Sequence, residues 1–468
     1  MQSMQRMKQE TSVRCRPIEC GGLRYLWRPE SFLAKAEAEY AIAQLWRLSA
    51  GSAAWNADAA IDIPAIDAQS VARFHELAAG ALDWVSLDDL LPPGAAASLD
   101  TNRLPALCQA SSGYQFGGSG PFPMDLVAAT FLMLSRWEEL HHAGPLDCHC
   151  RTRAKYTLAH RQSFLDRPVI DEWALVLRCW LQHLAAGWHA QPPRPTIIVT
   201  HDVDRMQRFP NPWRVLRASG AELVLRSRSP LATFHRFAEG VKGFLSPAAD
   251  SYYQAICRQM DFCESLSVRG TFNLMTARKG EYDEGYNLAL APCREMFDEI
   301  QKRGHRVGWH PGYRAAADAS ILTGEKARMD QIMGATRYGG RHHYLRWSVG
   351  KSWEQWEDLG LLYDSSLGYP DEIGFRCGTS HPFPCFSLPR QRQLSLVEEP
   401  LIIMDCALQN VVERQGKSAY SMALEILSRA RTAGGSPAVL YHNSYRYASP
   451  NAAVSEDSLL AAVQCVLE

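Results

Sequence analysis

Thr196-Ile-Ile-Val-Thr-His-Asp-Val-Asp204 joins a β-favouring run to two acidic residues, and its reading decides the fold of the C-terminal part of the chain. Thr196, Ile197, Ile198 and Val199 follow Pro195 as a short apolar run, the pattern of a buried strand in a parallel sheet. Asp202 and Asp204 are two residues apart, so an extended backbone turns both side chains to one face. Two carboxylates at the end of a buried strand repel each other unless a cation or a shared proton offsets the charge. Sites of open α/β sheets and (β/α) barrels collect at that edge. Taken alone, the stretch also reads as an Asp-rich turn.

Working outward, the spacing predicts further strands over Gly270–Met275, His305–Trp309, Leu401–Asp405 and Ala438–His442. Helical patterns lie between them, over Cys293–Arg303, Ser352–Leu359 and Ser418–Ala433. Such alternation implies parallel strands with crossover helices, and the expected fold is α/β, a deformed (β/α) barrel of about seven parallel strands. Gln191-Pro-Pro-Arg-Pro195 reads as a linker, since its prolines cannot extend a helix. The expected division is therefore a helix-rich mixed domain over 1–190 and the barrel over 191–468. In the first part, Ser31–Ser49, Asp125–His141 and Glu172–Leu184 carry helical apolar spacing, with Trp137, Trp173 and Trp180 expected in a core.

Polar residues follow several predicted strands: His310 before Pro311 and Gly312, the run Arg341-His342-His343-Tyr344, Asp364 after Tyr363, and His442 after Tyr441. If the strands are parallel, Asp202, Asp204, His310, His343, Asp364 and His442 meet at one rim. One carboxylate and two imidazoles would leave open positions on zinc or a similar divalent ion, the catalytic rather than the structural pattern. The second carboxylate is then available as a base, and His442 as an acid for a departing amine. Each histidine by itself reads as a packed or surface residue; their joint placement after successive strands points to a site.

The 468 residues are 46% hydrophobic and 21% charged, as in an ordinary soluble protein, and the net charge of −1 gives no reason to expect nucleic-acid binding or electrostatic membrane attachment. No apolar run is long enough for membrane insertion, and the first residues lack a signal-peptide core, so a cytoplasmic protein is expected. Thirteen scattered cysteines do not form a disulfide framework, and Cys148-His149-Cys150 lacks the second half of a zinc site.

With these residues in view, the stretch from about 196 to 447 resembles the polysaccharide deacetylases of carbohydrate esterase family four, which include chitooligosaccharide and peptidoglycan deacetylases. The resemblance rests on Thr200-His-Asp-Val-Asp204, on Gly304-His-Arg-Val-Gly-Trp-His310 and on Arg341-His-His-Tyr344. It implies a metal-dependent carbohydrate N-deacetylase with Asp202 as base, Asp204 and His310 as ligands, His442 as general acid and Asp364 tuning that acid. Arg341 would orient Asp202, while Tyr344 (through its backbone N–H) and Arg376 would contact substrate. Leu134-Ser-Arg-Trp-Glu-Glu139, Arg167-Pro-Val-Ile-Asp171 and Gly374-Phe-Arg-Cys-Gly-Thr379 look like hallmarks of a bacterial subgroup with an extra N-terminal domain of unknown function. That subgroup is often encoded among genes for surface polysaccharide biosynthesis, which implies a glycan or glycan-precursor substrate.

The chain departs from the family at one ligand. The usual second histidine, four residues after the first, is Arg314, which cannot ligate a metal at neutral pH. His343 is the expected replacement, since it stands where the family's motif has a proline and should face the same rim, and His342 is the fallback, because adjacent strand residues point oppositely; His201 and His305 are less favoured. The other readings are a metal-free glycan-binding pseudoenzyme and a metal-dependent amidase acting on a small C–N substrate.

Overall fold

The computed structural model describes residues 17–67, 82–97, 99–108, 124–141, 144–225 and 228–468. It is a mixed α/β structure built on a five-stranded parallel sheet with many helices. Before residue 190 the strands are short: β1 (Ile18–Cys20), β2 (Leu23–Leu26) and β3 (Ile61–Pro64) form one small sheet, β4 (Trp84–Ser86) and β5 (Arg103–Pro105) another. After it come β6 (Ile198–Val203), β7 (Thr271–Met275), β8 (Arg306–His310), β9 (Tyr363–Asp364), β10 (Phe383–Ser387), β11 (Arg392–Glu398), β12 (Leu401–Met404) and β13 (Ala438–His442). The central sheet runs β12-β13-β6-β7-β8, and β9, β10 and β11 form a three-stranded sheet beside it. Isolated parallel bridges from Trp309 to Gly340 and from Gly340 to Asp364 carry the pairing from β8 towards β9.

The expected strands differ from the observed ones by a few residues at their ends. β6 extends through His201, Asp202 and Val203, so Asp202 lies within the strand and Asp204 just beyond it. The two-residue period holds there: Asp202 faces the site, while His201 stacks on Phe272 on the other side, with its Nε2 3.4 Å from Cys263 Sγ. The helix expected over Asp125–His141 is two helices, Leu126–Leu134 and Trp137–His141. Arg136 between them has φ of +56°, which ends the first helix. Trp173 and Trp180 are buried and Trp137 packs against the core, as their apolar spacing predicted.

The three subgroup-like stretches turn out to fasten the first part of the chain to the second. Glu139 is buried between two arginines: Arg136 Nη2 lies 2.8 Å from Oε1, and Arg376 donates from Nε to Oε1 at 2.9 Å and from Nη2 to Oε2 at 2.5 Å. Asp171 accepts hydrogen bonds from Thr379 Oγ1 and from the backbone N–H and Oγ of Ser380. One buried apolar cluster runs from Ile18 to Leu396, across residue 190. Apolar burial and these paired charges act together at the junction, since a charge taken out of water needs its partner in place.

Candidate metal and catalytic site

Strand register assembles the site. His442 on β13 is opposite Asp202 on β6, Asp202 is opposite Asn273 on β7, and Asn273 is opposite Gly308 on β8. Gly308 has to be glycine, because a Cβ there would lie 2.1 Å from Asn273 Oδ1. Two residues further along, Met275 pairs with His310, which brings His310 to the rim above Asp202.

Asp202 is buried and held at one oxygen. Its Oδ1 accepts from Asn273 Nδ2 at 2.7 Å and from Arg341 Nη1 at 3.0 Å, while Oδ2 lies 3.8 Å from His310 Nε2. Arg341 is itself locked by donating to Thr200 Oγ1, Ser365 O and Ser365 Oγ. Burial opposes ionisation of Asp202, but the charges of Arg341, His310 and His442 outweigh it and hold its pKa below the ordinary carboxylate value.

Asp204, His310 and His343 bring one ligand atom each within 4.8 Å of the others. Asp204 Oδ1 is 3.4 Å from His310 Nε2 and 3.5 Å from His343 Nε2. Each imidazole is turned by its other nitrogen: His310 Nδ1 is 2.7 Å from Arg341 O, and His343 Nδ1 is 2.8 Å from Asp283 Oδ1. Second contacts of this kind fix the orientation of metal-ligating histidines. Asp204 Oδ1 and His310 Nε2 are also buried with no hydrogen-bond partner among the described residues, a cost that a cation between them would remove. The donor set fits a divalent ion with open positions. Burial works against ionisation of Asp204, but the three histidines His310, His343 and His442 keep its pKa depressed.

The neighbouring histidine has a different environment. His342 is buried and accepts from Trp356 Nε1 at 2.6 Å, and burial pushes its pKa down to about 3. It is a neutral core residue. Arg314, four residues after His310, is exposed. His305 Nδ1 accepts from the backbone N–H of Gly270, away from the rim.

Two expected roles need correction on geometry. Asp364 does not touch His442; its Oδ1 accepts from the Ser366 N–H and Oγ, and burial raises its pKa to about 7. The partner of His442 is Asp405, which follows β12, the strand that pairs directly with β13. His442 Nδ1 is 2.8 Å from Asp405 Oδ1, and the His442 backbone N–H donates to Oδ2 at 2.7 Å. Burial would lower the His442 pKa, but Asp405, Asp204 and Asp202 together push it up to about 10. Arg376 likewise does not reach the site, because Glu139 and Gly368 O occupy its guanidinium.

A cavity of about 410 Å³ opens on this rim, within the range of small-molecule sites. Asp202, Asp204, His343, Tyr344 and His442 line it, as does Arg151 from the first part of the chain. Tyr344 has φ of +61° and its carbonyl accepts from Arg151 Nη1 at 2.9 Å. Asp147 holds that loop by accepting from the Arg151 N–H and pairing with its guanidinium at 2.7 Å. Cys148 and Cys150 are exposed, and His149 Nδ1 meets Tyr313 Oη at 3.1 Å; the three do not gather as a metal group. A second group near the cavity, Asp405, Cys406 and His442, is less suited to a cation, since both Asp405 oxygens already serve His442 and burial raises the Cys406 thiol pKa.

Sequence reasoning missed Asn273, Asp283, Asp405 and Arg151. Asp405 meets the rule that picks out Asp204, a carboxylate at the end of a strand, but the apolar run Leu401–Asp405 reads it as the strand's last residue. Asn273 stood alone in an apolar run, and Asp283 lies in a loop without periodicity.

A family of unknown function, DUF7033, matches residues 69–186. No curated protein matches the chain. Among solved structures, the chain is similar to a crystal structure described as a "putative polysaccharide deacetylase" from Mycobacterium smegmatis. The identity is 16% and the TM-score 0.34, over 60% of this chain and 86% of that one.

Proposed function

We propose that this chain is a divalent-metal-dependent hydrolase that removes N-acetyl groups from a glycan or glycan precursor, with zinc as the metal and the cytoplasm as its compartment. The observation that carries the reading is the convergence of Asp204, His310 and His343 beside a separately held carboxylate, Asp202. The sheet is read as a deformed (β/α) barrel, supported by hydrogen bonds from Ser365 N to Gly340 O, past β8, and from Leu401 N, on the edge strand β12, to Leu367 O. The twelve described cysteines are unpaired, which suits a reducing compartment.

Asp204, His310 and His343 would hold the cation, which when bound supplies Lewis-acid polarisation of a carbonyl and a lowered pKa for water. Asp202 accepts a proton from water through Oδ2, since Arg341 and Asn273 already occupy Oδ1. Water adds to the acetamide carbonyl, the C–N bond breaks, and acetate and a free amine result. Asp405 occupies His442 Nδ1, which leaves Nε2 to hand its proton to the departing amine. Arg341 positions Asp202 and has no substrate contact in this scheme; Tyr344 lines the wall where the sugar would lie.

The test is acetate release from acetylated sugars, nucleotide sugars and small acetamides, before and after chelation and metal restoration. The reading expects release from an acetylated sugar that chelation abolishes and a divalent ion restores. Turnover confined to small amides would move the substrate class to the amidase reading. Turnover that resists complete metal removal would overturn the metal-dependent scheme.

A further inference from the structure

Between β6 and the helix Ser251–Ser265 the chain forms a helical hairpin, Pro212–Val224 and Pro230–Leu245, whose outer faces are unusually apolar. On the first helix Trp213, Leu216, Leu223 and Val224 are exposed, Trp213 at 72%. Their spacing of three, seven and one residues puts them on a single stripe, opposite the buried Val215, Ser219 and Glu222. On the second helix Leu231, Phe234, Phe237, Phe244 and Leu245 form a second exposed stripe, and the buried positions are Gly240 and Gly243. Gly240 is where the helices meet: a Cβ there would lie 2.6 Å from Val215 Cγ1. The apolar stripes are thus left over after the hairpin has packed. Contiguous exposed apolar surface marks an interaction site more often than chance exposure.

Charge identifies the partner. Over the hairpin Pro212–Leu245 the sequence has six Arg or Lys against two Glu, a net of +4 in a chain whose total is −1. Arg214 is ion-paired with Glu284, and Arg236 with Glu222 and Glu239. Arg217, one turn from Trp213, Lys242, one turn from Leu245, and the exposed Arg228 have no ion-pair partner among the described residues. Helices with Trp, Phe and Leu on one side and Arg and Lys beside it lie in the headgroup region of bilayers. A second copy of the chain is a poor occupant, since its own cationic hairpin would face this one. No described helix is long and apolar enough to cross a membrane, so the contact would be peripheral. We infer that the hairpin Pro212–Leu245 is a docking surface for an anionic lipid bilayer. Its first helix is joined to the catalytic rim: Arg205 and Arg214 both pair with Glu284, and Arg205 and Glu284 line the cavity. Docking would therefore hold the cavity close to material presented at the membrane. The inference is independent of the chemistry proposed for the cavity and is tested without an activity assay.

The experiment is flotation of the full chain with vesicles of phosphatidylcholine alone and of phosphatidylcholine with phosphatidylglycerol, at low and high salt. Leu231→Ser/Phe234→Ser and Arg217→Glu/Lys242→Glu are compared, with thermal melts to establish folding; all four residues are exposed. The expected result is flotation with the anionic vesicles that weakens with salt, and a loss of at least about ten-fold in affinity for either double variant. Absence of wild-type binding to phosphatidylglycerol vesicles would overturn the inference, as would equal binding by wild type and both folded variants. A concentration-dependent dimer that Leu231→Ser/Phe234→Ser abolishes, without vesicle binding, would assign the surface to a second copy instead.

Discussion

Asp405 grips His442 twice, at Nδ1 (2.8 Å) and at the backbone N–H (2.7 Å), so a single carboxylate sets both the ring and the strand end that carries it. In the proposed reaction this makes Asp405 a positioning residue: it fixes the tautomer that leaves Nε2 facing the cavity. Asp405→Asn should lower kcat by about 10²-fold or more, with metal content unchanged. Asp364→Asn should have a much smaller effect on rate, because Asp364 bonds to Ser366 and not to His442. The comparison is made by acetate release on metal-loaded enzyme. A large loss of kcat in Asp364→Asn with none in Asp405→Asn would reverse the assignment.

The Arg136–Glu139–Arg376 cluster should make the protein acid-sensitive. Glu139 is buried, yet Arg376 and Arg136 depress its carboxyl pKa from an ordinary 4.5 to about 2. A depressed acid stabilises the fold fully above its unfolded pKa, and the contribution disappears as pH falls from about 4.5 through about 2. Glu139→Gln should therefore be less stable than wild type by about 3 kcal/mol at neutral pH, and the gap should narrow in that acid window. Urea denaturation of both proteins at neutral pH and near pH 3 checks this. A gap of constant size would show that the ion pairs are not its source.

Arg151 tests whether the first part of the chain shapes the cavity. It donates to Tyr344 O and lines the same wall, 15% exposed and paired with Asp147. Arg151→Ala should raise KM by roughly ten-fold while leaving metal content intact, since a single polar contact is worth about 1–1.5 kcal/mol. Unaltered KM and kcat would confine residues before 190 to a structural role.

Much of the site was legible because strands alternate faces and end at one rim. That reasoning put Asp202 and Asp204 on the same side. The preference for His343 rests on its place at the motif's proline, with strand alternation making His342 the fallback, and the structure has His343 open a short 3₁₀ turn, not a strand. His342 does point away, into contact with Trp356. The same reasoning failed for Asp364, since sequence order does not give strand order: β12, not β9, pairs with β13. Arg376 was unreadable for a related reason, as its partner Glu139 is 237 residues away in the chain. The whole-chain charge of −1 also concealed the cationic hairpin, because acidic residues elsewhere cancel it. Helix Asp125–His141 was over-extended because periodicity carries no mark of the positive φ at Arg136.

The claim at the centre of this account is that Asp204, His310 and His343 hold one divalent ion. Elemental analysis of the purified full chain and of three variants, His343→Ala, His342→Ala and Asp202→Asn, tests it most directly. The account predicts one bound ion per chain in wild type, its loss in His343→Ala, and its retention in Asp202→Asn and in folded His342→Ala. An unchanged metal content in His343→Ala, or loss only in His342→Ala, would contradict it.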